Sequence, residues 1–489
     1  VRKSFSFAVV CRVLANLSAV ATAFLSIRLY SLYVTKDIYG AIGVGLQIIS
    51  YLPMMNGGFR MVLNQQMLAE SDGEKTARIA RFGQTLQSYF FIFVGVGGAL
   101  LMALYSQSPH TRATGIPLAV FLTAGFAAAI GFQSGGQLAL LVAFGEQAAS
   151  SLIQGGSGLA SLLILWISFA AGLGVWAFPI SGGLSALITI AGVRLVLRAT
   201  HHHVPLFVWR REPDFWPRFR AIWRSGFYCL YNNVLTYGLF SIDLILVGVL
   251  LGPGPAALYL VVTRVTTISR QLLQSLSEAA WPRLTAEVDS RRRAEMMRKV
   301  DRLNAWLVGA WFGTLIVTLL PALTVLVKAD WLASPMLAAI IIARNWLIAV
   351  ASPHAYGLLS AARFRDLAVV NQQDVIVGVV AGLALGWPFG VTGLAGGFLL
   401  GTISANSWRM TFLYFRFAHD THWLRELVAV YARTAASGIV SIALAWACWN
   451  VAQSHLGGSG WLALPVSAIA FLVPIGAVAA RWRLTGRIP

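Results

Sequence analysis

Charge is what this 489-residue chain has least of: Asp, Glu, Lys and Arg together make up 11% of it, and only 18 residues are acidic. A soluble fold of such composition has too little polar surface to stay dispersed and would aggregate. Cysteine is scarce as well. Cys11, Cys229 and Cys448 fall in or beside apolar runs without paired or metal-ligand spacing, which argues against both a disulfide framework and a metal centre. No Gly-x-x-x-x-Gly-Lys-Ser/Thr occurs, so nothing is laid out to hydrolyse a nucleotide. No stretch between the apolar runs is long enough for a separate soluble domain.

What fills the chain is hydrophobic, at 57%. Apolar runs able to cross roughly 30 Å of hydrocarbon number about fourteen. They are 7–33, 38–68, 83–105, 116–144, 150–171, 176–199, 225–252, 257–281, 304–327, 332–359, 367–387, 391–415, 434–451 and 461–480. The expected fold is an all-α, polytopic transmembrane helix bundle. The first run carries Arg12 and Arg28 and is followed by no small-residue cleavage site, so it reads as a retained helix and not a signal peptide.

A net charge of +19 invites a nucleic-acid reading, but the charges are placed for a membrane. Alternate loops hold Lys75, Arg78, Arg81, Arg210, Arg211, Arg218, Arg220, Arg224, Arg291, Arg292 and Arg293, whereas the opposite loops are short and hold Lys36, Arg112 and Lys328. This asymmetry is the positive-inside pattern. It predicts a multi-pass protein of the bacterial inner membrane, with both termini cytoplasmic, membrane lipids as neighbours and no nucleic-acid partner.

Two basic loops punctuate the runs, and the first is the expected boundary between halves: an N-terminal lobe (1–205), a cytoplasmic interfacial loop (206–226), a C-terminal lobe (227–420) and a last helix pair (421–489). The loop interleaves Trp209, Phe215, Trp216 and Trp223 with arginines, which suits a segment lying against anionic headgroups. The halves look alike: Phe178 and Phe389 open Phe-x-x-x-Gly at the outer starts of the sixth and twelfth helices, and the same offset sets Arg198 against Arg409. Six-helix repeats of this kind build secondary transporters, with substrate at the repeat interface. Glycine clusters at Gly155, Gly156 and Gly158, and at Gly393, Gly396, Gly397 and Gly401, read as close helix packing.

At the seventh and eighth runs the text SIDLILVGVLLGPGPAALYLVVTRVTTISRQLLQSLSEAAWPRLTAEV carries Asp243, Gly252, Tyr259 and Pro282. The first hairpin carries Tyr39-Gly40 and Gly57-Gly58. These resemble the multidrug/oligosaccharidyl-lipid/polysaccharide exporter superfamily, in its polysaccharide-transporter and lipid II flippase branches. The resemblance covers roughly the first twelve helices. It implies a lipid-linked oligosaccharide flippase, not an enzyme, working by alternating access. Many polysaccharide transporters have twelve helices; lipid II flippases carry a final pair, which helps form a groove for the lipid tail.

Arginines at 12, 28, 60, 194, 264, 270, 344 and 409 lie within apolar runs, where a charge costs about 2.5–3.5 kcal/mol and needs a reason. Arg12, Arg60, Arg194 and Arg409 lie within about two turns of the cytoplasmic end, and Arg28 lies near the outer one, so all five can snorkel. Arg270 and Arg344 sit near mid-helix and should face the interior, either to capture an anion or to pair with a buried acid. Asp243 and Arg264 lie at similar depth, which suits a hairpin ion pair; in the lipid II flippase branch the resemblance instead places Arg264 in the central cavity. The candidate substrate-binding set is Arg270, Arg344, Arg264, Arg28 and Arg60. Arg suits a diphosphate because it is always charged and binds phosphate bidentately.

The eleventh run opens with Asn371, Gln372, Gln373 and Asp374, and Asn371 and Asp374 share a face. Oxygen ligands of this kind suit a hard cation or a proton. Sodium-coupled lipid II flippases resemble this arrangement, so Asp243, Asn371 and Asp374 are the candidate ion-coupling residues, with Na+ or H+ as the ion and no resident cofactor. His201–His203 lack acidic or cysteine partners and read as solvated loop.

Three classes compete. A flippase for a polyprenyl-diphosphate-linked glycan, with a polysaccharide polymerase and glycosyltransferases as partners, explains the arginines. A cation-coupled multidrug antiporter would favour acids and aromatics in its cavity. A membrane glycan polymerase or ligase would need a large outer loop bearing acids or bases, and here Asp37 and Asp330 are nearly the only acids there.

Overall fold

The computed structural model describes residues 5–476, apart from 70–72, 201–203, 211–212, 288, 362, 418–422, 457–461, 464, 468 and 474–475. The tract His201–His203 therefore lies outside the described residues. All regular structure among the described residues is helical. The long helices are α1 (Phe5–Tyr33), α2 (Lys36–Ala69), α3 (Gly73–Ser106), α4 (Leu118–Ala143), α5 (Gln147–Ala170), α6 (Ala177–Ala199) and α7 (Phe215–Leu250). They continue as α8 (Pro253–Ala286), α9 (Ser290–Leu326), α10 (Pro335–Ser360), α11 (Phe364–Ser404), α12 (Asn406–Phe417) and α13 (Trp423–Leu456), with further helical stretches within 462–476.

Nine described helices are long and apolar enough to cross a membrane, or ten if α2 counts as one span. The α2 segments Lys36–Met54 and Gly58–Asn64 meet at 42°, beside Pro53, whose ring blocks the backbone bond a straight helix needs there. α11 is two arms joined at Gly390, whose φ of 58° and ψ of −140° only glycine adopts easily. That break falls between the eleventh and twelfth apolar runs. With the arms counted separately and α12 continuing the second, α1 to α13 supply helices for thirteen of the fourteen apolar runs, and the described helical stretches within 462–476 fall in the fourteenth.

The chain forms two compact units, Val1–Ala257 and Leu258–Pro489. The first therefore extends past the basic loop expected to divide the halves, because α7 packs along α2. A Cβ on Gly58 would lie 2.2 Å from the Leu230 backbone nitrogen, and one on Gly40 would lie 1.8 Å from the Pro253 carbonyl oxygen. The interfacial segment expected over 206–226 is also shorter as a loop, since α7 begins at Phe215. Phe215, Phe219 and Ile222, spaced for one helical face, pack with Phe59 and Phe82. Trp216 and Trp223 stay exposed on the same turns. Elsewhere in this unit α3 packs on α4, α1 on α5, and α6 on α4 and α5.

In the second unit α9 packs on α13, α10 on α9, α11 and α12. The arms of α11 press together through glycine: a Cβ on Gly397 would lie 2.1 Å from the Gly382 backbone nitrogen, and one on Gly401 would lie 2.4 Å from the Asp374 carbonyl oxygen. The glycine cluster of this run is thus a helix contact, as its spacing suggests. α13 docks in the same way, with Gly309 against the Thr434 carbonyl, and Ser437 donating to the Trp306 carbonyl at 2.7 Å.

Candidate functional site

Arg60 sits late in α2, where counting along the helix lets it reach the headgroups; its side chain turns inward instead. Nη1 donates to Gln87 Oε1 of α3 at 3.3 Å, and Nε is shut from solvent with no hydrogen-bond partner. Around it lies a cluster of buried amides. Gln87 Nε2 donates to the Phe132 carbonyl at 3.1 Å, and Gln137 Nε2 of α4 donates to Gln84 Oε1 at 3.0 Å. Gln137 Oε1 is itself without a partner. A small cavity of about 20 Å³ is lined by Arg60, Asn64, Gln84 and Gln87 with apolar neighbours, and no acid is among them. Leu63 and Ile79 also line a larger pocket of about 320 Å³, whose rim carries Lys75, Arg78 and Arg218. Arg78 and Arg218 are braced there by Glu74 and Asp214, at 2.7 and 2.5 Å.

Arg60 is half-buried, its Nε is shut from solvent, and no carboxylate lines its cavity, so its charge is met only by groups that donate or accept hydrogen bonds. An anion entering the larger neighbouring pocket would meet this guanidinium. Sequence reasoning placed Arg60 in the substrate set but missed Gln84, Gln87 and Gln137. The spacing of Gln84 and Gln87 along α3, at i and i+3, was the available signal.

The other substrate candidates differ in setting. Arg28 is exposed on α1 and Arg264 is half-buried on α8. Arg270 and Arg344 are 2% and 5% exposed, so the depth counted from sequence matches their burial. Arg270 Nε donates to Asn345 Oδ1 of α10 at 3.2 Å, and Asn345 in turn donates to Thr266 Oγ1 at 3.3 Å. The Arg344 guanidinium lies 5.1 Å from the centre of the Phe398 ring, in the second arm of α11.

Of the ion-coupling candidates, Asp243 belongs to the first unit, where it is 1% exposed and its Oδ1 accepts from the Leu244 backbone N–H at 2.7 Å. Asn371 and Asp374 lie in the second, both buried. Asp374 Oδ2 accepts from Asn406 Nδ2 at 2.6 Å and Oδ1 accepts from Thr402 Oγ1 at 3.3 Å. Thr402 and Asn406 were missed because they come from the second arm and α12, some thirty residues downstream in the chain. A buried carboxylate ringed by a hydroxyl and amides offers oxygen ligands to a proton or a hard cation.

No protein-family model matches the chain. Among curated proteins, it is 23% identical over 330 residues to the succinoglycan biosynthesis transport protein ExoT of Rhizobium meliloti, a match covering 65% of this chain and 62% of that one. The chain thus spans less than two thirds of that relative. Among solved structures, the lipid II flippase MurJ in an inward closed conformation aligns over 99% of this chain and 100% of its own, with a TM-score of 0.71 and 11% identity. An inward-facing multidrug resistance MATE family transporter of the MOP superfamily aligns over 86% of this chain and 95% of its own, with a TM-score of 0.55 and 13% identity. All three are named as transporters or flippases, and none as an enzyme. This chain is a multi-pass membrane protein with the fold of the multidrug/oligosaccharidyl-lipid/polysaccharide exporters, the superfamily that its seventh and eighth helices resemble.

Proposed function

We propose that the chain is a flippase that carries a polyprenyl-diphosphate-linked oligosaccharide, a cell-surface polysaccharide precursor, from the cytoplasmic to the periplasmic leaflet of the bacterial inner membrane by alternating access. The observation that carries this reading is the amide-backed Arg60, with no acid lining its water-sized cavity, next to the pocket of about 320 Å³ that carries Lys75, Arg78 and Arg218 inside the first unit. A diphosphate crossing hydrocarbon needs charge-assisted hydrogen bonds, and a guanidinium backed by amides supplies them. A cavity for cationic drugs would need the opposite charge. Arg270 and Arg344 extend the cationic set into the second unit, and the name of the succinoglycan transport relative fits a glycan cargo.

On this reading the basic end, with Lys75, Arg78 and Arg218, faces the cytoplasm, and both termini lie there. Asp243, Asn371 and Asp374 are the ion-coupling residues. A polymerase and glycosyltransferases acting on the same lipid carrier are the partners. The test is leaflet-resolved detection of the lipid-linked glycan in spheroplasts from cells expressing wild type or Arg60→Ala. The variant should accumulate glycan on the cytoplasmic leaflet at normal protein levels. An unchanged leaflet distribution, on deleting the gene as well as in the variant, would sink the flippase reading.

A further inference from the structure

Asp301 and His354 form a buried acid–base pair in the second unit that neither the anion cavity nor the Asp374 cluster uses. Asp301 lies in the first half of α9 and is 4% exposed; His354 lies near the end of α10 and is 1% exposed. His354 Nε2 is 2.9 Å from Asp301 Oδ2, at ion-pair distance but off the line of a well-formed hydrogen bond. The other ring nitrogen, Nδ1, is 3.3 Å from Thr411 Oγ1 of α12. Asp301 Oδ1 has no hydrogen-bond partner among the described residues.

The pair is enclosed from every side. Tyr414 and Phe415 of α12 place ring centres 5.8 and 5.5 Å from the imidazole. From α11, Leu367 and Val370 join the adjoining core. Tyr414 of α12 and Arg433 of α13 lie within electrostatic reach of Asp301; around them, Arg293 and Arg298 of α9 reach Tyr414, and Arg302 of α9 and Glu426 of α13 reach Arg433. Arg298 is tied to Glu426 at 3.2 Å. From α8, Glu278 accepts from Tyr356, two residues beyond His354, at 2.9 Å.

A buried ion pair kept for structure alone has its remaining lone pairs satisfied, because a half-satisfied charge in a closed interior is costly. Here one carboxylate oxygen is left over, and its partner is an imidazole, the side chain whose ordinary titration range brackets neutral pH. Protonation puts an N–H on each ring nitrogen, one beside Asp301 but off its line and one facing Thr411. Deprotonation leaves a carboxylate facing a ring with one N–H fewer. The two states thus reward different packings of α9, α10 and α12.

We propose that Asp301 and His354 are a reversible proton-binding site that couples protonation to the packing of these three helices at the basic end of the second unit. One proton arrives from solvent at that end, forms an N–H bond on the ring and leaves by the same bond. The binding half stands on the geometry alone; its use to drive transport rests on the proposed function.

The test is nuclear magnetic resonance of the full-length protein with nitrogen-15 in its histidine rings, the His354 signals being assigned by their loss in His354→Gln. Scanned over about pH 5–8, they should change as the ring takes up a proton, and Asp301→Asn should make that uptake need more acid. Ring signals fixed in one protonation state across that range overturn the site, and this needs only the wild-type protein. In proteoliposomes with a fluorescent polyprenyl-diphosphate disaccharide, an imposed pH gradient should speed wild-type flux and leave His354→Gln flux unchanged. Equal wild-type flux with and without the gradient overturns the coupling. Titrating His354 signals with no flux in any protein support the site while counting against the flippase reading.

Discussion

Gly136 of α4 lies against the guanidinium of Arg60: a Cβ at that position would sit 2.9 Å from Arg60 Nη1 and 2.5 Å from Gln87 Nε2. The space in which Arg60 turns inward therefore exists because residue 136 has no side chain. Both crowded atoms are far ends of flexible side chains, so they can move without disturbing the backbone. Gly136→Ala should cost little stability, within the roughly 1–3 kcal/mol of a mild overpacking, yet displace Arg60 and Gln87 together. Glycan export should fall several-fold with expression intact. Full export in the variant would argue that Arg60 position is immaterial.

Arg60 itself separates function from stability. A half-buried charge with no carboxylate partner is a burden on the fold, because its desolvation is not offset by an opposite charge. Arg60→Gln should therefore abolish export while raising the thermal midpoint of the detergent-solubilised protein. Arg60→Lys should recover part of the export, since it keeps the charge but loses the bidentate geometry. A lower midpoint for Arg60→Gln would mark the arginine as structural.

The Asp374 cluster is suited to a double-mutant cycle. Asn406 Nδ2 supports a buried carboxylate at 2.6 Å, and hydrogen bonds to charged groups contribute about 1.5–3 kcal/mol. Asn406→Ala should destabilise by roughly that amount, and much less in an Asp374→Asn background, because the carboxylate is then already gone. Asp374→Asn alone should remove any stabilisation by added Na+. Additive effects of the two changes would show that the carboxylate and the amide act independently.

The helices, their order and the break at Gly390 were legible because spans of apolar text and turn residues are properties of local sequence. The burial of Arg270 and Arg344 was legible for a similar reason, since depth along a helix is a matter of counting. Facing partners were not. Asn345 for Arg270, Gln87 for Arg60, and Thr402 and Asn406 for Asp374 come from other helices or another arm, and spacing within one helix cannot say which face meets which neighbour. The extent of the first unit was hidden in the same way: Gly58 reads as a small residue, but its closeness to Leu230 depends on α7 lying against α2. His354 drew no notice in sequence, because a lone histidine in an apolar run has no local partner, and Asp301 stands outside the adjacent run.

The seam between α2 and α7 carries a final prediction, which uses a cysteine the chain already has. Gly58 meets α7 backbone, 2.2 Å from the Leu230 nitrogen and 2.5 Å from the Gly226 carbonyl oxygen if a Cβ is built, so no side-chain adjustment can relieve the clash. Gly40, near the start of α2, meets the Pro253 carbonyl at the first residue of α8 in the same way. An alanine at either glycine must part the helices at that end. Cys229 lies beside Leu230 and is 2% exposed, so its thiol reports on the basic end. With Cys11 and Cys448 replaced by Ser, Gly58→Ala should speed maleimide labelling of Cys229 by about tenfold, which corresponds to about 1.4 kcal/mol in the opening equilibrium. Gly40→Ala parts the far end and should leave that rate nearly unchanged. If both variants label at the wild-type rate, the seam is not a barrier to opening, and the proposed alternating access must part different helices.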